Sequence, residues 1–345
     1  MNKLKASSTD LAFCGIDVSA ATVSVAVIKP DQHLAEREFS NTASGHRSLL
    51  TWLGQCGVVV RILLEATGVY SLDLTLALDA AAHCEVAVLN PKLVNRFAQT
   101  LVRNKTDSAD AVVLAEYSRR MPFTAWSRPS VEQLQLRALG RYIESLAADL
   151  TGVKNRLHAA ERSTGMPRAV LHDLKQAQAA LVRRLARMRQ QARKLVEADK
   201  LLARRFDLLR NMPGIAETSA LSILCELVML PPEMTVRQWV AMSGLDPSHR
   251  ESGTSVHKPA RISRAGNRHL RRALYMPALS AARHDPHLRA FYRALRERHK
   301  TALQALVAVA RKMLHAIYGI FKSEKPYDGQ RLFPQLQLEV KSIAG

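Results

Sequence analysis

Cysteine is scarce in this chain, and its placement excludes two kinds of site. The 345 residues contain four cysteines, Cys14, Cys56, Cys84 and Cys225, and no two of them form a C-x-x-C pair. Such a pair is the usual sequence sign of a structural zinc site or of a redox dithiol. We therefore expect neither, and we interpret the four side chains as buried thiols of a cytosolic protein.

Long apolar runs are also missing. No stretch approaches the roughly 18 consecutive apolar residues that mark a membrane-spanning helix. The first ten residues, MNKLKASSTD, lack the apolar core of a signal peptide. The sequence therefore predicts a protein that neither spans a membrane nor is secreted.

Acidic residues are outnumbered by basic ones. Lysine and arginine total 50 against 30 aspartates and glutamates, which gives a net charge of +20. The first 125 residues contain 12 basic and 12 acidic residues, so the whole excess lies in the later part. A basic region of this kind suits a polyanion such as nucleic acid, because its cations neutralise phosphates. The alternative is a basic protein whose helices carry solvated charged faces.

Two acidic residues stand at or near the ends of apolar runs. Residues 13–19 and 58–65 lack helical periodicity and are rich in apolar and β-branched residues, which predicts buried strands. Asp17 lies in the first run and Glu65 ends the second. A buried carboxylate is costly unless it is paired or bound to a metal. Both acids are therefore candidate metal ligands.

A second acidic pair opens a predicted helix. Thr106 is a plausible N-cap, and Asp107 and Asp110 are three residues apart, which places them on one helical face. Carboxylates bind Mg²⁺ or Mn²⁺, and two such ions can flank a phosphate during in-line displacement. Each acid alone also fits a helix cap or a solvated charge. All four in this order favour a nuclease-type metal site.

The middle of the chain changes to a purely helical pattern. Apolar residues recur in steps of three and four over residues 136–157 and again over 181–195, with a break at 165–167. This heptad spacing predicts two helices, the second over residues 168–206. A heptad seam requires a partner helix without specifying whose it is. The two helices therefore either pack only on each other or also join a second copy of the chain.

Several stretches of the N-terminal part resemble a known family. The order of elements up to about residue 120 is similar to a ribonuclease-H-type fold, and the D…E…D-x-x-D spacing resembles that of RuvC-type junction resolvases. No acid stands two residues after Asp17, unlike in the proofreading exonucleases of that superfamily. The stretches GIDVS, LLEATGVY and RNKTDSADA resemble more narrowly the DEDD insertion-sequence transposases. Members of that family are known as bridge-RNA-guided serine recombinases.

The C-terminal part carries the second pattern of that family. A helix-hairpin-helix-like segment at residues 209–216 precedes a stretch of the form G-L-x-P…S-G…G-N-x-x-L-R at residues 244–271. The resemblance thus spans nearly the whole chain. It implies a RuvC-like α/β metal-binding domain at residues 1–125, a coiled-coil helical hairpin at 126–207, and a mainly α transposase domain at 208–345.

The resemblance also implies the chemistry. In this family the nucleophile is the serine of the S-G step, which is Ser252 here, and it forms a 5′-phosphoserine bond with DNA. Ser255 is the nearest competing hydroxyl. Mg²⁺, or Mn²⁺, would be held by Asp17, Glu65, Asp107 and Asp110. A serine hydroxyl attacks phosphorus well only when it is activated and the leaving oxygen is stabilised.

Basic residues around Ser252 are the expected contacts to nucleic acid. The glycine turn of the hairpin could also present amide groups to a phosphate, at the start of a helix. Its second glycine is replaced by Ala216, so a purely structural turn stays open. The expected contacts are Arg250, Lys258, Arg261, Arg264, Asn267, Arg268, Arg271 and Arg272, together with Pro213 and Gly214.

The partners implied by the resemblance are donor and target DNA, a structured bridge RNA, and further copies of the chain in a homo-oligomer. The location implied is the bacterial cytoplasm, at the nucleoid when the protein is active. Two other functions fit the same residues. A junction-resolving nuclease would use the four acids with water as the nucleophile. A catalytically inactive scaffold would bind nucleic acid without cutting it.

Overall fold

The computed structural model describes most of the chain, in two compact units, Met1–Arg128 and Pro129–Gly345. For residues 107–108, 249–252 and 256–260 it describes the backbone alone. The residues described are 11–65, 70–89, 94–95, 97–99, 107–252 and 256–333.

A five-stranded sheet forms the centre of the first unit, in the order β3-β2-β1-β4-β5. The first three strands pair antiparallel, whereas β1, β4 and β5 run parallel. The two predicted strand runs that contain Asp17 and Glu65 correspond to β1 and β4. The strands are β1 (Leu11–Val18), β2 (Thr22–Ile28), β3 (Leu34–Ser40), β4 (Val59–Glu65) and β5 (Cys84–Leu89).

Helices cover both faces of this sheet, as parallel strands require. Helices α1 (Ala43–Gly54) and α2 (Leu72–Ala80) pack on one face, in a cluster that includes alternate residues of β1. Helix α3 (Asp107–Arg120) packs on the other. It approaches so closely that a Cβ on Gly15 would lie 2.1 Å from the carbonyl oxygen of Ala111. Glycine is therefore required in the middle of β1.

The second unit is mainly helical around one large apolar cluster. One small antiparallel sheet interrupts the helices, formed by β6 (Pro247–Ser252) and β7 (Val256–Ile262). The helices are α4 (Val131–Glu161), α5 (Arg168–Ala198), α6 (Lys200–Arg210), α7 (Glu217–Leu227), α8 (Val236–Ser243), α9 (Arg268–His284), α10 (Pro286–Glu297), α11 (Ala302–Ser323) and α12 (Gly329–Leu332).

The two long helices α4 and α5 pack against each other as an antiparallel pair. Cross-helix contacts join Tyr142 to Arg184 and Glu161 to Lys175, so residue numbers rise on one helix as they fall on the other. The predicted seam of α4 lies inward: Leu136, Ile143, Leu146, Val153 and Leu157 are buried, and Leu139 and Leu150 are partly buried.

The prediction that the second long helix continues to Phe206 is wrong. Helix α5 ends at Ala198, and Asp199 starts the new helix α6 by accepting hydrogen bonds from the backbone N–H groups of Leu201 and Leu202. Aspartate is far more favourable at such an N-cap than inside a helix. The break therefore has a local cause that the apolar periodicity concealed.

The hairpin of β6 and β7 is absent from the sequence prediction, which gives only a mainly α domain at residues 208–345. Its strands read PSHRES and VHKPARI. Such polar strands lack the apolar alternation by which a strand is recognised. The C-terminal part is therefore mainly α with one short ribbon, and Ser252 belongs to that ribbon.

The cysteines are free thiols in the structure. Cys14, Cys84 and Cys225 are buried and Cys56 is half-buried. Burial raises the pKa of Cys225 to about 12, so this thiol stays protonated at neutral pH. In the part of the chain that the structure describes, no helix is both long and apolar enough to cross a bilayer.

Candidate active site and nucleic-acid interface

Strand pairing places two of the candidate acids at one edge of the sheet. Strands β1 and β4 are parallel neighbours, and Ile16 lies opposite Leu64. Asp17 and Glu65 each follow one residue later, so both lie on the same sheet face where the two strands end. Both residues are half-buried. Asp17 and Glu65 lie near each other because of the register between two strands that are almost fifty residues apart in sequence.

Helix α3 directs its first turn toward that edge. The Ser118 hydroxyl near the helix end donates to the carbonyl oxygen of Arg61, 3.1 Å away, near the start of β4. Earlier in the helix, Ala111 lies against Gly15 of β1. The helix therefore runs antiparallel to both strands, and its first turn, which contains the half-buried Asp110, lies toward their carboxyl ends.

The donor set suits a hard divalent cation, because all four candidates are carboxylates. The side chain of Asp107 and the whole of Thr106 lie outside the described residues. Within the described part, no group of three or more His, Cys, Asp or Glu side chains is arranged to hold a metal. The structure brings together the carboxyl ends of β1 and β4 and the first turn of α3, which are the three places where the acids lie.

A hydrogen-bond clamp next to these acids was missed in the sequence. The amide nitrogen of Asn41 donates to the carbonyl oxygens of Ser19 and Tyr70, at 2.8 and 3.1 Å. Its amide oxygen lies 2.8 Å from Nε2 of His46. Because that oxygen can only accept, the Nε2 atom of His46 must donate and carries the proton. Asn41 thus ties together the segments that follow β1 and β4.

The imidazole of this clamp is held neutral. Burial lowers the pKa of His46, and the charge of Asp73 opposes the shift only in part. No local sequence signal marks Asn41 or His46, because both owe their position to the way the loop after β3 packs beside the ends of β1 and β4.

Ser252 lies at the far end of the ribbon of β6 and β7. It is the last residue of β6 and pairs with Val256, and Arg250 pairs with Lys258 two positions earlier. Residues 253–255 and the side chains of these four positions lie outside the description. The backbone therefore places the candidate nucleophile beside two cationic positions.

Two of the expected nucleic-acid contacts have partners inside the protein. The Asn267 side chain caps α9 by accepting from the N–H groups of His269 and Leu270, at 2.9 and 3.1 Å. The Arg271 guanidinium donates to the carbonyl oxygen of Ser243, 2.8 Å away, and so holds the turn after α8. Both side chains therefore serve the protein's own structure.

Asn267 also belongs to a buried network that the sequence analysis missed. Glu226, only 4% exposed, accepts from Nε of Arg141 at 3.0 Å and from the amide of Asn267 at 2.5 Å. Burial raises the pKa of Glu226, but the hydrogen bonds from Arg141 and Asn267 and the charge of Arg137 outweigh it, so the pKa is lowered. The sequence signal was available: past its first turn, which contains Glu217, helix α7 is largely apolar and Glu226 is its one further acid.

A second carboxylate links the same helices nearer the surface. Glu144 of α4 accepts from Nδ1 of His269 and, at 3.0 Å, from the guanidinium of Arg272. The Arg272 side chain is nonetheless largely exposed. Arg272 therefore keeps access to solvent while it is anchored at one end.

Three other expected contacts are exposed. The side chains of Arg261, Arg264 and Arg268 face solvent, and no described carboxylate forms a salt bridge with them. We call Arg261, Arg264 and Arg268 the basic segment. Cations without a carboxylate partner neutralise phosphates at the least cost, because no internal ion pair has to be broken.

The hairpin glycine has a structural explanation. Gly214 has φ of +91°, and a Cβ there would lie 2.6 Å from the carbonyl oxygen of Pro277 in α9. The following helix already has Glu217 in its first turn, paired with Arg193, and this acid favours the positive end of the helix. Close packing against α9 accounts for Gly214, and nucleic-acid contact at Pro213 and Gly214 stays a prediction.

Two family models match this chain. One, described as "Transposase" and of the DEDD and IS110 type, matches residues 14–164. The other, described as "Transposase IS116/IS110/IS902 family", matches residues 206–293. The first match includes the four candidate acids, and the second includes the hairpin with Ser252.

Full-length relatives show the same similarity. A "Pilin gene-inverting protein" of Moraxella bovis is 26% identical over 322 residues, which cover 92% of this chain and 97% of that protein. Its counterpart from Moraxella lacunata is also 26% identical over the same shares. The "Insertion element IS110 uncharacterized 43.6 kDa protein" of Streptomyces coelicolor is 24% identical, over 92% of this chain and 96% of that protein.

Proposed function

Because this chain belongs to the IS110 family of transposases and is a DNA recombinase of the transposase type, we propose that it cuts and rejoins DNA through a covalent bond to Ser252. The observation that carries this proposal is the parallel register of β1 and β4, which brings Asp17 and Glu65 to one sheet edge, toward which the first turn of α3 lies. Clustered carboxylates and a hydroxyl on a basic ribbon are the two parts that such a reaction needs.

The acids would hold the metal in this proposal. Asp17, Glu65, Asp107 and Asp110 supply oxygen ligands to a divalent cation, Mg²⁺ or Mn²⁺, in a domain with a ribonuclease-H-like, RuvC-like fold. When bound, the cation neutralises charge at the scissile phosphate. Asn41 fixes the segments after β1 and β4, so the first two acids keep their spacing.

The serine supplies the covalent step. The Ser252 oxygen forms a bond to phosphorus as the bond from phosphorus to the 3′ oxygen breaks. The leaving oxygen takes up a proton, in balance with the one that the serine loses, and the products are a 5′-phosphoserine and a free 3′-OH. The reverse reaction with the 3′-OH of another strand rejoins the DNA. No external energy source is required, because the phosphodiester energy is retained in the phosphoserine.

Exposed cations bind the strands in this proposal. The basic segment, with Arg250, Lys258 and Arg272, contacts phosphates beside the cut. A structured bridge RNA pairs with donor and target DNA and adds its own phosphates to those that the positive charge must balance. The acids and the serine act together in a homo-oligomer on the paired DNA.

The experiment is a search for the covalent intermediate. The full chain is incubated with Mg²⁺, the RNA transcribed beside its gene and DNA from the ends of its element, then denatured and analysed for protein bound to DNA. We expect an adduct whose attachment maps to Ser252. Ser252→Ala abolishes the adduct, and the matched variant Ser255→Ala retains it.

The other outcomes identify the alternatives. Cleaved DNA with free protein, unchanged by Ser252→Ala, would identify a hydrolytic nuclease of the junction-resolving type. DNA that is bound but never cut would identify a scaffold. Mixing Asp17→Asn chains with Ser252→Ala chains tests the composite site, because adduct formation returns only when acids and serine come from different copies.

A further inference from the structure

A groove of about 870 Å³ lies in the second unit, between the base of the β6–β7 ribbon and helices α10 and α11. We call it the hairpin-base groove. Pro247 and Ser248 of β6 and Ile262 of β7 form one wall, and Leu303 and Val307 of α11 form the other. The groove thus begins where the strand that ends in Ser252 begins.

The floor of the groove is apolar and partly uncovered. Leu245 is almost fully buried at its base, whereas Leu303 is 59% exposed at its edge. Ile262 and Val307 are half-buried between them. Aliphatic side chains left at the surface of a concave site favour a ligand with a flat or apolar body.

The rim of the groove is positively charged. Arg261, Arg264, Lys300 and Arg311 line it, and none of the four pairs with a carboxylate among the described side chains. The acid beside the groove, Asp246, instead accepts a hydrogen bond of 2.5 Å from the Ser263 hydroxyl. The ligand that fits this site therefore combines an apolar body with negative charge.

A nucleotide has this combination, since its base is apolar on both faces and its phosphate is an anion. Proteins that contact unstacked nucleotides place apolar side chains against the base and cations along the backbone.

The position of the groove indicates which DNA strand would reach it. Ser248 lies in the groove wall and Ser252 lies four residues further along β6. At about 3.4 Å per residue these positions are about 14 Å apart, a length that spans about four stacked nucleotides at about 3.4 Å each. A DNA strand whose scissile phosphate meets Ser252 therefore reaches the groove within a few nucleotides.

We infer that the hairpin-base groove binds an unpaired nucleotide of the DNA strand that is cut, about four positions from the scissile phosphate. The inference rests on the proposed function for the identity of the strand. In this arrangement Arg261 and Arg264 bind the backbone beside the base, and Leu303 and Val307 contact the base itself. The groove would hold the strand in register with Ser252.

Site-specific photocross-linking tests this directly. Benzoylphenylalanine replaces Leu303 in a full-length Ser252→Ala chain, which holds the DNA uncut, and the RNA and labelled DNA are added before irradiation. Leu201, 49% exposed on α6 and not part of the groove, is the matched control position. We expect cross-links from position 303 to the cut strand, within about four nucleotides of the cut, and several-fold fewer from position 201.

Binding measurements supply the second readout. Leu303→Asp should weaken binding of DNA that extends across the groove roughly tenfold, the effect of losing one base contact. DNA truncated before that nucleotide should bind both proteins equally. Arg183→Gln, which changes an exposed arginine of α5 outside the groove, lowers the net charge by the same one unit and controls for that change.

The results separate this inference from the proposed function. Cross-links from position 303 to the RNA, to a second copy of the chain, or to nothing would overturn the groove assignment, even if the adduct forms on Ser252. Cross-links to the cut strand would support it even if no adduct forms, because they require binding and not cleavage. Equal loss of binding for extended and truncated DNA would also contradict it.

Discussion

The acidic sheet edge of the first unit and the basic segment of the second differ in how their charged residues reach one place. At the sheet edge, Asp17 and Glu65 are brought together by parallel register between distant strands. In the second unit the charged residues are close in sequence, and the fold separates them. In this chain, residues that are close in sequence therefore need not share a role, and residues that share a role need not be close in sequence.

The separation is clearest around the start of α9. Asn267 and Arg271 make hydrogen bonds inside the protein, whereas Arg264 and Arg268 face solvent. Residues one or three positions apart along the chain therefore differ in role: Asn267 and Arg271 hold the start of α9 and the turn after α8, whereas Arg264 and Arg268 are available to phosphate. A short basic run should not be assigned to nucleic acid as a whole.

The largest effect is expected at the sheet edge. Asp17→Asn removes one charge from the oxygen ligands, so DNA cleavage should fall by ~1000-fold or more, the scale seen when one member of a catalytic group is removed. Binding of DNA should be retained. Asp31→Asn, in the exposed turn before β3 where the carboxylate accepts from the N–H of His33, should cleave normally. Cleavage by Asp17→Asn at the normal rate would refute the metal site.

The next effect is on stability. Glu226→Gln leaves Arg141 without its carboxylate partner in a largely buried place, and we expect the free energy of unfolding to fall by about 2–4 kcal/mol. Urea denaturation measures it. The matched control is Glu217→Gln, whose pair with Arg193 is about half exposed and should contribute less than about 1 kcal/mol. Equal losses for the two variants would contradict a structural role for the buried network.

The same carboxylate predicts a pH dependence. The pKa of Glu226 is lowered in the folded protein from its ordinary value of 4.5, so the folded state favours the ionised form. Its contribution is fully present above pH 4.5 and is lost as pH falls through the lowered folded-state pKa. Urea denaturation of the wild type and of Glu226→Gln should therefore give stabilities that converge in acid. A gap that stays constant from neutral to acidic pH would rule out this linkage.

A smaller effect is expected from the clamp beside the acids. Asn41→Ala releases the segments after β1 and β4, and we expect Mn²⁺ affinity, measured by calorimetry, to fall by about tenfold, as when residues behind metal ligands are removed. Asn41→Asp should not restore it, because an aspartate cannot donate to the two carbonyl oxygens. Ser48→Ala, which alters a hydrogen bond within α1, is the control. Unchanged Mn²⁺ affinity in Asn41→Ala would show that the clamp has no part in metal binding.

The smallest effect is expected at the surface of α9. Arg268→Gln should weaken DNA binding a few-fold and reduce the slope of log affinity against log salt by about one, since one phosphate contact is lost. Stability should change by less than about 0.5 kcal/mol. Arg271→Gln should show the reverse, with stability lowered by about 1–2 kcal/mol through the lost bond to Ser243. Equal salt slopes for the two variants would contradict the distinction between Arg271, which bonds inside the protein, and Arg268, which faces solvent.

Part of the fold can be predicted from local sequence patterns. Apolar runs predict β1 and β4, and apolar periodicity predicts the two long helices, because burial imposes repeats of two and of 3.6 residues. The break at Asp199 was missed, since an N-cap outweighed a periodic pattern that continues across it. The ribbon that contains Ser252 was missed because polar edge strands have no apolar repeat.

The candidate site was only partly predictable for a different reason. The four acids stand out because a carboxylate next to an apolar run is unusual, and the resemblance to a family selects Ser252 from among many serines. Asn41 and Glu226 were not predicted, although an acid in the apolar second half of α7 is a signal that marks Glu226. Their roles depend on contacts with residues 22 to 85 positions away.

The sequence by itself determined the kinds of groups available: four carboxylates, a serine between cations, and a positive charge confined to the later part of the chain. Only the tertiary structure decided which of them are accessible and which are used internally. It pairs β1 with β4, buries Glu226 against Arg141, and leaves a groove at the base of the ribbon. The reason is physical: composition and periodicity are local, whereas register, burial and hydrogen-bond partners depend on distant segments.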